Sequence, residues 1–387
     1  MKTTHYSIKN KGILGLVAIM ILGIFLTACG SKVESNSDHV EKEVTPNYRI
    51  IKDMWGREVK VKDDVKTAVI MEWEGLVAKS MKVWGLEDNI IGVDNTARNN
   101  SFRKTIIPAI DNLPAVGSPY GGVNYEEIAK LKPDIVFMEL WITNETEKEM
   151  HESAMKRIED LGIPVIGLLS PSCQETPSFE SAWQFIRLVG EVYNKQTEAE
   201  KLISSLDGNL QLIKDRTSNL TEDEKADVVI YNTNICVMGR GSIQSYFLTE
   251  ILNANNLVEE NTGFVQIAEE QLLTYEPDVL VVMGHDGYLT PSVIYEGKHI
   301  GLNWNNLKEF KPIKNRRVVS LGYEEWRTTI ETPVGLLKIA KELYPDLFQD
   351  IDVEAEELKM YMEHYGFSKD DAAKIMEAQK FTGELFN

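Results

Sequence analysis

The sequence EEIAKLKPDIV at residues 126–136 has a counterpart in EQLLTYEPDVL at residues 270–280. Every aligned position of the two copies is displaced by 144 residues. Each copy predicts a short helix, a Pro-Asp turn and a buried strand, because proline stops a helix and the apolar run after it has the composition of a strand. One supersecondary unit is therefore used twice, which indicates two similar lobes.

Short β-branched or apolar runs alternate with longer periodic segments in both halves of the chain. This alternation predicts an α/β fold with two Rossmann-like lobes and largely parallel sheets. The predicted strands are Ala68–Met71, Ile90–Val93, Ile135–Met138 and Val165–Leu169 in the first half, and Val228–Tyr231, Val279–Met283 and Val318–Leu321 in the second.

The segment between the two groups of strands, residues 178–220, contains neither proline nor an obvious strand. Its apolar residues follow the spacing of an amphipathic helix. They are Leu202, Ile203, Leu206, Leu210 and Ile213. We predict one long helix over 191–220 that joins an N-terminal lobe at 48–190 to a C-terminal lobe at 221–345.

The first turns of the two repeated helices differ. Asn124 can act as an N-cap with Glu127 three residues later, which is the spacing of a capping box, whereas the second copy has Ala268 at the equivalent position. The second cap is therefore weaker or built differently. Glu126 and Glu270 lie in the first turns, where acidic residues are common in any case.

The N-terminus has the pattern of a secretory signal. Its first 12 residues carry three Lys and no acid, and residues 13–28 contain no charge, yet this stretch is shorter than the roughly 20 apolar residues that a membrane span needs. It ends in LTACG at 26–30, the pattern of a bacterial lipobox, which implies cleavage before Cys29 and acylation of that residue. We therefore predict a signal peptide over 1–28, a lipidated cysteine with a disordered tether over 29–47, and a protein anchored by lipid to the extracytoplasmic face of the cell membrane.

Length and charge exclude several classes of protein. The 387 residues can form a core in each of two lobes. With 41 basic and 60 acidic residues and a net charge of −19, the chain lacks the basic surface that binding to nucleic acid requires. The 3 Cys are too few for a disulfide scaffold, and sequence alone leaves open whether Cys173 and Cys236 pair or stay as free thiols.

Further motifs occur in a characteristic order. They are DMWGR at 53–57, LPAVGSPYGGVNYE at 113–126, the two Pro-Asp units, and GRGS at 239–242 before a predicted helix. Together with the lipobox, this order resembles the substrate-binding proteins of ABC importers for ferric siderophores, haem and cobalamin, over roughly residues 48–345. The resemblance implies a monomeric binding protein without enzyme activity or cofactor, whose partners are an ABC permease with its ATPase and a metal-chelate ligand.

The resemblance also implies how the protein docks. In this family one surface glutamate on each lobe pairs with arginines of the permease, and the matching positions here are Glu126 and Glu270. Exposed ion pairs are individually weak, often below about 1 kcal/mol. Two such pairs placed far apart would set the orientation of docking more than its affinity.

Ligands of open α/β sheets bind beyond the carboxyl ends of the strands. Applied to the predicted strands, this rule selects aromatic, amide and cationic side chains that suit a large, oxygen-rich metal chelate. They are Trp73, Tyr120, Trp141, Asn232, Arg240, His285, Tyr288, Tyr323, Trp326 and Arg327. Any single aromatic residue among them is equally compatible with core packing. A ferric siderophore is the first choice of ligand, with cobalamin and haem as alternatives that share these features.

Other functions are weaker alternatives. Only His285 among the six His follows a predicted strand, so we predict no site for a bare metal ion. A chelatase-like enzyme on a related fold would need an acid–base pair such as Glu72/Glu74 or Glu324/Glu325, but in so acidic a chain we interpret these as solvated acids. A surface adhesin or haem-capture lipoprotein without a permease is a third possibility. Residues 346–387 lie beyond the resemblance and predict a helical C-terminal extension that packs on the second lobe or covers its edge.

Overall fold

The computed structural model describes residues 47–173, 177–233, 235–284, 288–300 and 302–381. All of these residues belong to one compact unit. The predicted signal peptide, Cys29 and nearly all of the predicted tether lie outside the described residues, as does His285. Within the described ranges, no helix is both long and apolar enough to cross a bilayer.

The N-terminal lobe is built around a parallel sheet. Its strands, in chain order, are β1 (Tyr48–Lys52), β2 (Glu58–Lys62), β3 (Ala68–Met71), β4 (Ile90–Val93), β5 (Gly117–Ser118), β6 (Gly122–Val123), β7 (Ile135–Leu140) and β8 (Val165–Leu169). Its helices are α1 (Leu76–Val83), α2 (Asn95–Asn99), α3 (Ser101–Ile106), α4 (Tyr125–Leu131) and α5 (Glu145–Glu159). The order β4-β3-β7-β8 is parallel throughout, while β1 pairs with β2 and β5 with β6 as antiparallel hairpins.

Both faces of this sheet are buried, which explains why its strands are continuous apolar runs. Successive side chains of a strand point to opposite faces. Ile70 and Phe137 therefore join the main hydrophobic core, whereas Val69, Met71 and Val136 join a second core on the other face.

Two helices connect the lobes, α6 (Phe179–Val192) and α7 (Gln196–Thr217). The chain turns between them at Asn194, whose φ is +56°. Helix α6 packs on α1 of the first lobe, and α7 packs on α6. The apolar residues that predicted a helix are all buried on α7, which lies inside the predicted range 191–220. The prediction of one helix over that range was too simple, because α6 ends at Val192 and the chain turns before α7 begins.

The C-terminal lobe has a mixed sheet. Its strands are β9 (Asp227–Asn232), β10 (Cys236–Met238), β11 (Asn255–Asn256), β12 (Phe264–Gln266), β13 (Val279–Met283), β14 (Tyr288–Leu289), β15 (His299–Ile300), β16 (Leu302–Asn303) and β17 (Val318–Leu321). Its helices are α8 (Ile243–Tyr246), which continues as a π-helical turn over Phe247–Ile251, then α9 (Glu269–Leu272), α10 (Pro291–Tyr295), α11 (Lys311–Lys314) and α12 (Thr332–Leu343). In the order β12-β10-β9-β13-β17, the strands β9, β13 and β17 are parallel, and β10 runs antiparallel to both β9 and β12.

The Pro-Asp unit has the same structural role in both lobes. Asp134 precedes β7, and its carboxylate accepts the backbone N–H of Lys66 at 2.8 Å and of Thr67 at 3.1 Å, just before β3. Asp278 precedes β13, and its carboxylate accepts the N–H of Asp227 at 3.0 Å at the start of β9. In each lobe this aspartate joins the starts of two neighbouring parallel strands.

The C-terminal extension consists of α13 (Val353–Tyr365), α14 (Lys369–Ala378) and β18 (Lys380–Phe381). The prediction was that it packs on the second lobe or covers its edge. It does contact that lobe, and it contacts the first lobe as well. Helix α13 packs on α12 and on α1, α14 packs on α3, and β18 pairs in parallel with β14. The extension therefore crosses from the second lobe to the first and back.

Candidate ligand-binding cleft

A cavity of about 720 Å³ lies where strand ends of the two lobes face each other. This volume is within the range of small-molecule sites, roughly 300–1,000 Å³. Six of the predicted ligand-binding residues line it. They are Trp73, Tyr120, Trp141, Asn232, Trp326 and Arg327.

The other four predicted residues have different positions. Tyr323 lies behind the wall, with its ring centroid 6.4 Å from that of Trp73 and 5.8 Å from that of Trp326. Arg240 lies outside the cavity in a separate depression, where its guanidinium pairs with Glu259 at 3.4 Å. Its position therefore does not support the predicted contact with the ligand. Tyr288 begins β14, and His285 is outside the described residues.

Sequence reasoning missed the contribution of β10 and β12. This antiparallel pair supplies Cys236, Met238, Phe264 and Gln266 to the cavity lining. The two strands have three residues each, too few for a recognisable alternation. The one motif that marks them in the sequence is GRGS. Gly239 of this motif directly follows β10, and a Cβ on it would lie 2.3 Å from the carbonyl oxygen of Thr262, so this position requires glycine.

The first wall is a loop held by buried carboxylates. Glu139, on β7, accepts the backbone N–H of Trp73 at 2.6 Å and of Glu74 at 2.9 Å. Glu72 accepts the N–H groups of Val77 at 2.7 Å and of Ala78 at 2.8 Å, which caps α1. These bonds fix the path of the chain from β3 into α1.

Burial changes the ionisation of these acids. It raises the pKa of Glu72 to about 7, and burial together with the nearby carboxylate of Glu74 raises the pKa of Glu139 to about 8. Desolvation also raises the pKa of Asp94, whose carboxylate accepts the N–H of Glu72 at 2.9 Å. The interpretation of Glu72 and Glu74 as solvated acids was wrong, because only 1% and 3% of these residues is exposed.

The second wall presents Arg327, which follows β17. Its guanidinium carbon lies 4.3 Å from the ring centroid of Trp73, 3.9 Å from that of Tyr323 and 5.0 Å from that of Trp326. Nη1 donates to the carbonyl oxygen of Trp73 at 2.7 Å. Within the described part of the chain, its buried Nε and Nη2 have no acceptor. Tyr120 also has a buried hydroxyl without a partner there, so two residues of the cavity lining carry donors that nothing in the described chain satisfies.

A buried ion cluster joins the lobes beside the cavity. Lys79 Nζ lies 2.5 Å from Glu324 Oε2 and 2.7 Å from Glu331 Oε2, and Arg103 Nε lies 3.2 Å from Glu324 Oε1. Burial opposes ionisation of Glu324, but Lys79 and Arg103 outweigh it and hold the pKa of this carboxyl well below its usual range. Tyr365 of the extension donates to Glu331 at 2.6 Å.

The pair Glu324/Glu325 is likewise not solvated. Both residues are buried, and Glu325 accepts the N–H of Gly322 at 2.6 Å and the ammonium of Lys338 at 2.5 Å. These acids are therefore bound within the fold rather than arranged as an acid–base pair. Within the described ranges, no group of three or more His, Cys, Asp or Glu could hold a metal ion.

The two thiols and the two surface glutamates can also be located. Among the described residues, Cys173 and Cys236 are free and form no disulfide.

Asn124 accepts the N–H of Glu127 at 3.1 Å, which confirms the predicted N-cap. In the second copy, the side chain of Gln271 accepts the N–H of Ala268 at 2.6 Å, so that cap is built differently. Glu126 and Glu270 are exposed in the first turns of α4 and α9.

A cleft between two α/β lobes that are connected by helices is the arrangement of a bilobal binding protein. Residues 73–323, more than half of the chain, match the family described as periplasmic binding protein. The chain belongs to this family and is a substrate-binding protein of the ABC importer class. The predicted family and fold are thereby confirmed.

Individual relatives are similar over most of the chain. The molybdate-binding protein MolA of Haemophilus influenzae is 24% identical over 347 residues, which are 84% of this chain and 94% of that protein. The Fe(3+)-citrate-binding protein YfmC of Bacillus subtilis is 23% identical over 314 residues, 80% of this chain and 90% of that one. The fold matches a crystal structure of a periplasmic solute binding protein from Veillonella parvula with a TM-score of 0.69 at 23% identity, over 86% of this chain and 97% of that one.

Proposed function

We propose that this protein captures a metal chelate, in first place a ferric siderophore, in the cleft and delivers it to the permease of an ABC importer. The observation that carries the proposal is the buried Arg327, which lines a cavity of about 720 Å³ together with Trp73, Trp141 and Trp326 and whose Nε and Nη2 have no acceptor among the described residues. A buried guanidinium with unused donors is costly unless a ligand supplies acceptors. Phenolate, carboxylate or hydroxamate oxygens of a chelate would do so, and the indole rings would pack on its apolar parts.

A bare oxyanion is the second candidate. The donors of Arg327 and the hydroxyl of Tyr120 suit a small anion, and MolA, one of the relatives, is named for binding molybdate. The size of the cavity favours the chelate, because a tetrahedral oxyanion would leave most of about 720 Å³ and three indole rings without contact. Cobalamin and haem remain alternatives for the same type of importer.

The proposal includes a place and a partner. Cleavage before Cys29 and acylation of that residue would hold the protein on the extracytoplasmic face of the membrane. Glu126 and Glu270 would each meet an arginine of the permease. Replacing Cys29 by Ser should move the protein from the membrane fraction to the soluble fraction. Unchanged membrane retention of that variant would contradict the lipid anchor.

Tryptophan fluorescence provides the test of ligand class. The chain begun at Ser31 would be titrated with ferric hydroxamate, ferric catecholate and ferric citrate chelates, then with cobalamin, haem and molybdate. We expect saturable quenching by at least one ferric chelate and none by molybdate. Trp141→Phe should reduce the quenching, whereas Trp84→Phe, outside the cavity, should not. Response to molybdate alone would favour the oxyanion, and no response to any compound would overturn the ligand class.

A further inference from the structure

Glu139 contacts the cleft only through other residues. It is completely buried and is not part of the cavity lining. One of its carboxylate oxygens accepts the backbone N–H of both Trp73 and Glu74. The side chains of these two residues form part of the wall. A movement or change of charge at Glu139 is therefore transmitted directly to two ligand-facing residues.

The Trp73 position also depends on the second lobe. Arg327 and Arg103 both donate to the carbonyl oxygen of Trp73. The peptide units on either side of this residue are thus held by an acid of the first lobe and by guanidinium groups of both lobes. Gly75 has a φ of +82°, and a Cβ there would lie 2.6 Å from Arg103 Nε, so the turn has no freedom to shift toward α3.

We propose that Glu139 is a positioning residue for ligand binding, which holds Trp73 and Glu74 in the wall and weakens the binding of anionic chelates when it ionises. This inference rests on the proposed function of the cleft. In its neutral form the carbonyl oxygen of Glu139 still accepts both N–H groups. In its ionised form it adds a negative charge directly behind the wall, next to Glu74.

Several titratable groups surround Glu139, and the pKa shifts of three of them keep those three neutral between pH 7 and 9. The surrounding groups are Glu72, Glu74, Arg103, Tyr120, His151 and Cys173. Burial raises the pKa of Tyr120 well above its usual value and that of Cys173 to about 12, so both stay neutral at pH 9. Burial lowers the pKa of His151, which keeps this ring neutral over the same interval. Between pH 7 and 9 the change of charge is therefore carried by the buried carboxyls.

Glu72 provides a matched control. Like Glu139, it is a buried acid with a raised pKa beside the same turn. Its oxygens accept the N–H groups of Val77 and Ala78, which do not line the cavity. Glu72→Gln and Glu139→Gln thus each remove one titrating group at the β3–α1 loop, but only Glu139 bonds directly to the N–H groups of the cavity-lining residues Trp73 and Glu74.

The first measurement needs no ligand. Trp fluorescence of the chain would be recorded from pH 6 to 9.5 for wild type, Glu139→Gln, Glu72→Gln and Trp73→Phe. We expect a transition near pH 8 in wild type, the same transition at a lower pH in Glu72→Gln, because the charge of Glu72 helps to raise the pKa of Glu139, and none in Glu139→Gln or Trp73→Phe. A transition that persists in Glu139→Gln, or that is absent from wild type, would overturn the positioning role whatever the ligand is.

The second measurement uses ferric citrate as the anionic probe, titrated into wild type and Glu139→Gln in the same solutions. The ratio of the two dissociation constants cancels the titration of the chelate itself. We expect binding to wild type to weaken about fivefold relative to Glu139→Gln between pH 6.5 and 9. A constant ratio would contradict the proposal. If neither protein binds ferric citrate while the fluorescence transition follows Glu139, the positioning role stands and ferric citrate is excluded as the ligand. The proposed ligand class fails only if the other ferric chelates do not bind either.

Discussion

The two lobes share one scaffold but build their sides of the cleft differently. In both, an aspartate after a proline joins the starts of two parallel strands. Beyond the strand ends the similarity stops. The first lobe presents a turn fixed by Glu139. The second presents an antiparallel pair, β10 and β12, and Arg327, whose Nε and Nη2 have no acceptor in the described part of the chain. The repeated part thus positions the strand ends, and the parts that are not repeated supply the binding chemistry.

The largest effect is expected where both lobes act together, at the permease. The double variant Glu126→Lys and Glu270→Lys should abolish uptake and leave ligand affinity unchanged, because both residues are exposed and outside the cavity. Cellular transport and fluorescence titration would measure the two properties. Each single variant should lose part of the transport rate, and the size of each loss measures how much that lobe contributes to docking.

A matched control exists for this charge change. Glu152 and Glu354 are exposed glutamates outside the repeated units. Reversing both gives the same net charge and should leave transport intact. Normal uptake by the double variant at positions 126 and 270 would refute the docking role.

The buried cluster between the lobes should have the next largest effect. Lys79→Met leaves Glu324 and Glu331 without their shared ammonium group. Removing one partner of a buried ion pair typically costs about 3–5 kcal/mol, and we expect a loss of this size in the free energy of unfolding measured by urea denaturation. Lys130→Met, which breaks an exposed pair with Glu127, should change it by less than about 0.5 kcal/mol. Equal effects of the two variants would contradict the importance of the cluster.

Two arginines of the second lobe test which side chain binds the ligand. Arg327→Gln should weaken the binding of the chelate identified by titration by about 10- to 100-fold, since hydrogen bonds to charged groups contribute about 1.5–3 kcal/mol. Arg240→Gln should have little effect, because Arg240 lies outside the cavity. Isothermal titration calorimetry would measure both. A larger loss for Arg240→Gln would show that the ligand binds elsewhere.

The smallest effects on stability are expected for the aspartates of the two Pro-Asp units, Asp134 and Asp278. Asp134→Asn and Asp278→Asn should each cost about 1–2 kcal/mol of stability through weakened bonds to backbone N–H groups. Burial opposes ionisation of both, but the bonds from Lys62 to Asp134 and from Lys311 to Asp278 outweigh it and lower both pKa values.

The lowered pKa values determine the pH dependence of these two variants. The stability that each ionised aspartate provides is present above its unfolded pKa and is lost as pH falls through the folded one. Wild type and variants should therefore converge in acid. Differences that persist at pH 2 in urea denaturation would rule out this origin.

Much of the fold could be predicted because it depends on local patterns. The seven predicted strands form at nearly the predicted residues, since buried parallel strands are short apolar runs between turns. The spacing of buried residues located α7, and Asn124 is the predicted cap. Each of these features is set by residues within a few positions of one another.

The site depended more on contacts between distant segments. The burial of Glu72 and Glu74 arises where the end of β3 meets α1 and Glu139 of the neighbouring strand, so the acidic average of the chain gave the wrong expectation. Arg240 and Arg327 both follow predicted strands, and only the packing of the lobes separates them. The contact of α13 with α1 likewise links residues more than 250 positions apart.

The C-terminal extension has a mechanical consequence. It passes from α12 to α1 and α3 and returns to pair with β14. A rotation that opened the cleft would have to shear these contacts together with the α6–α7 connection, so strain in one is shared by the others. The extension therefore adds a second set of contacts, besides the connecting helices, that opposes separation of the two lobes.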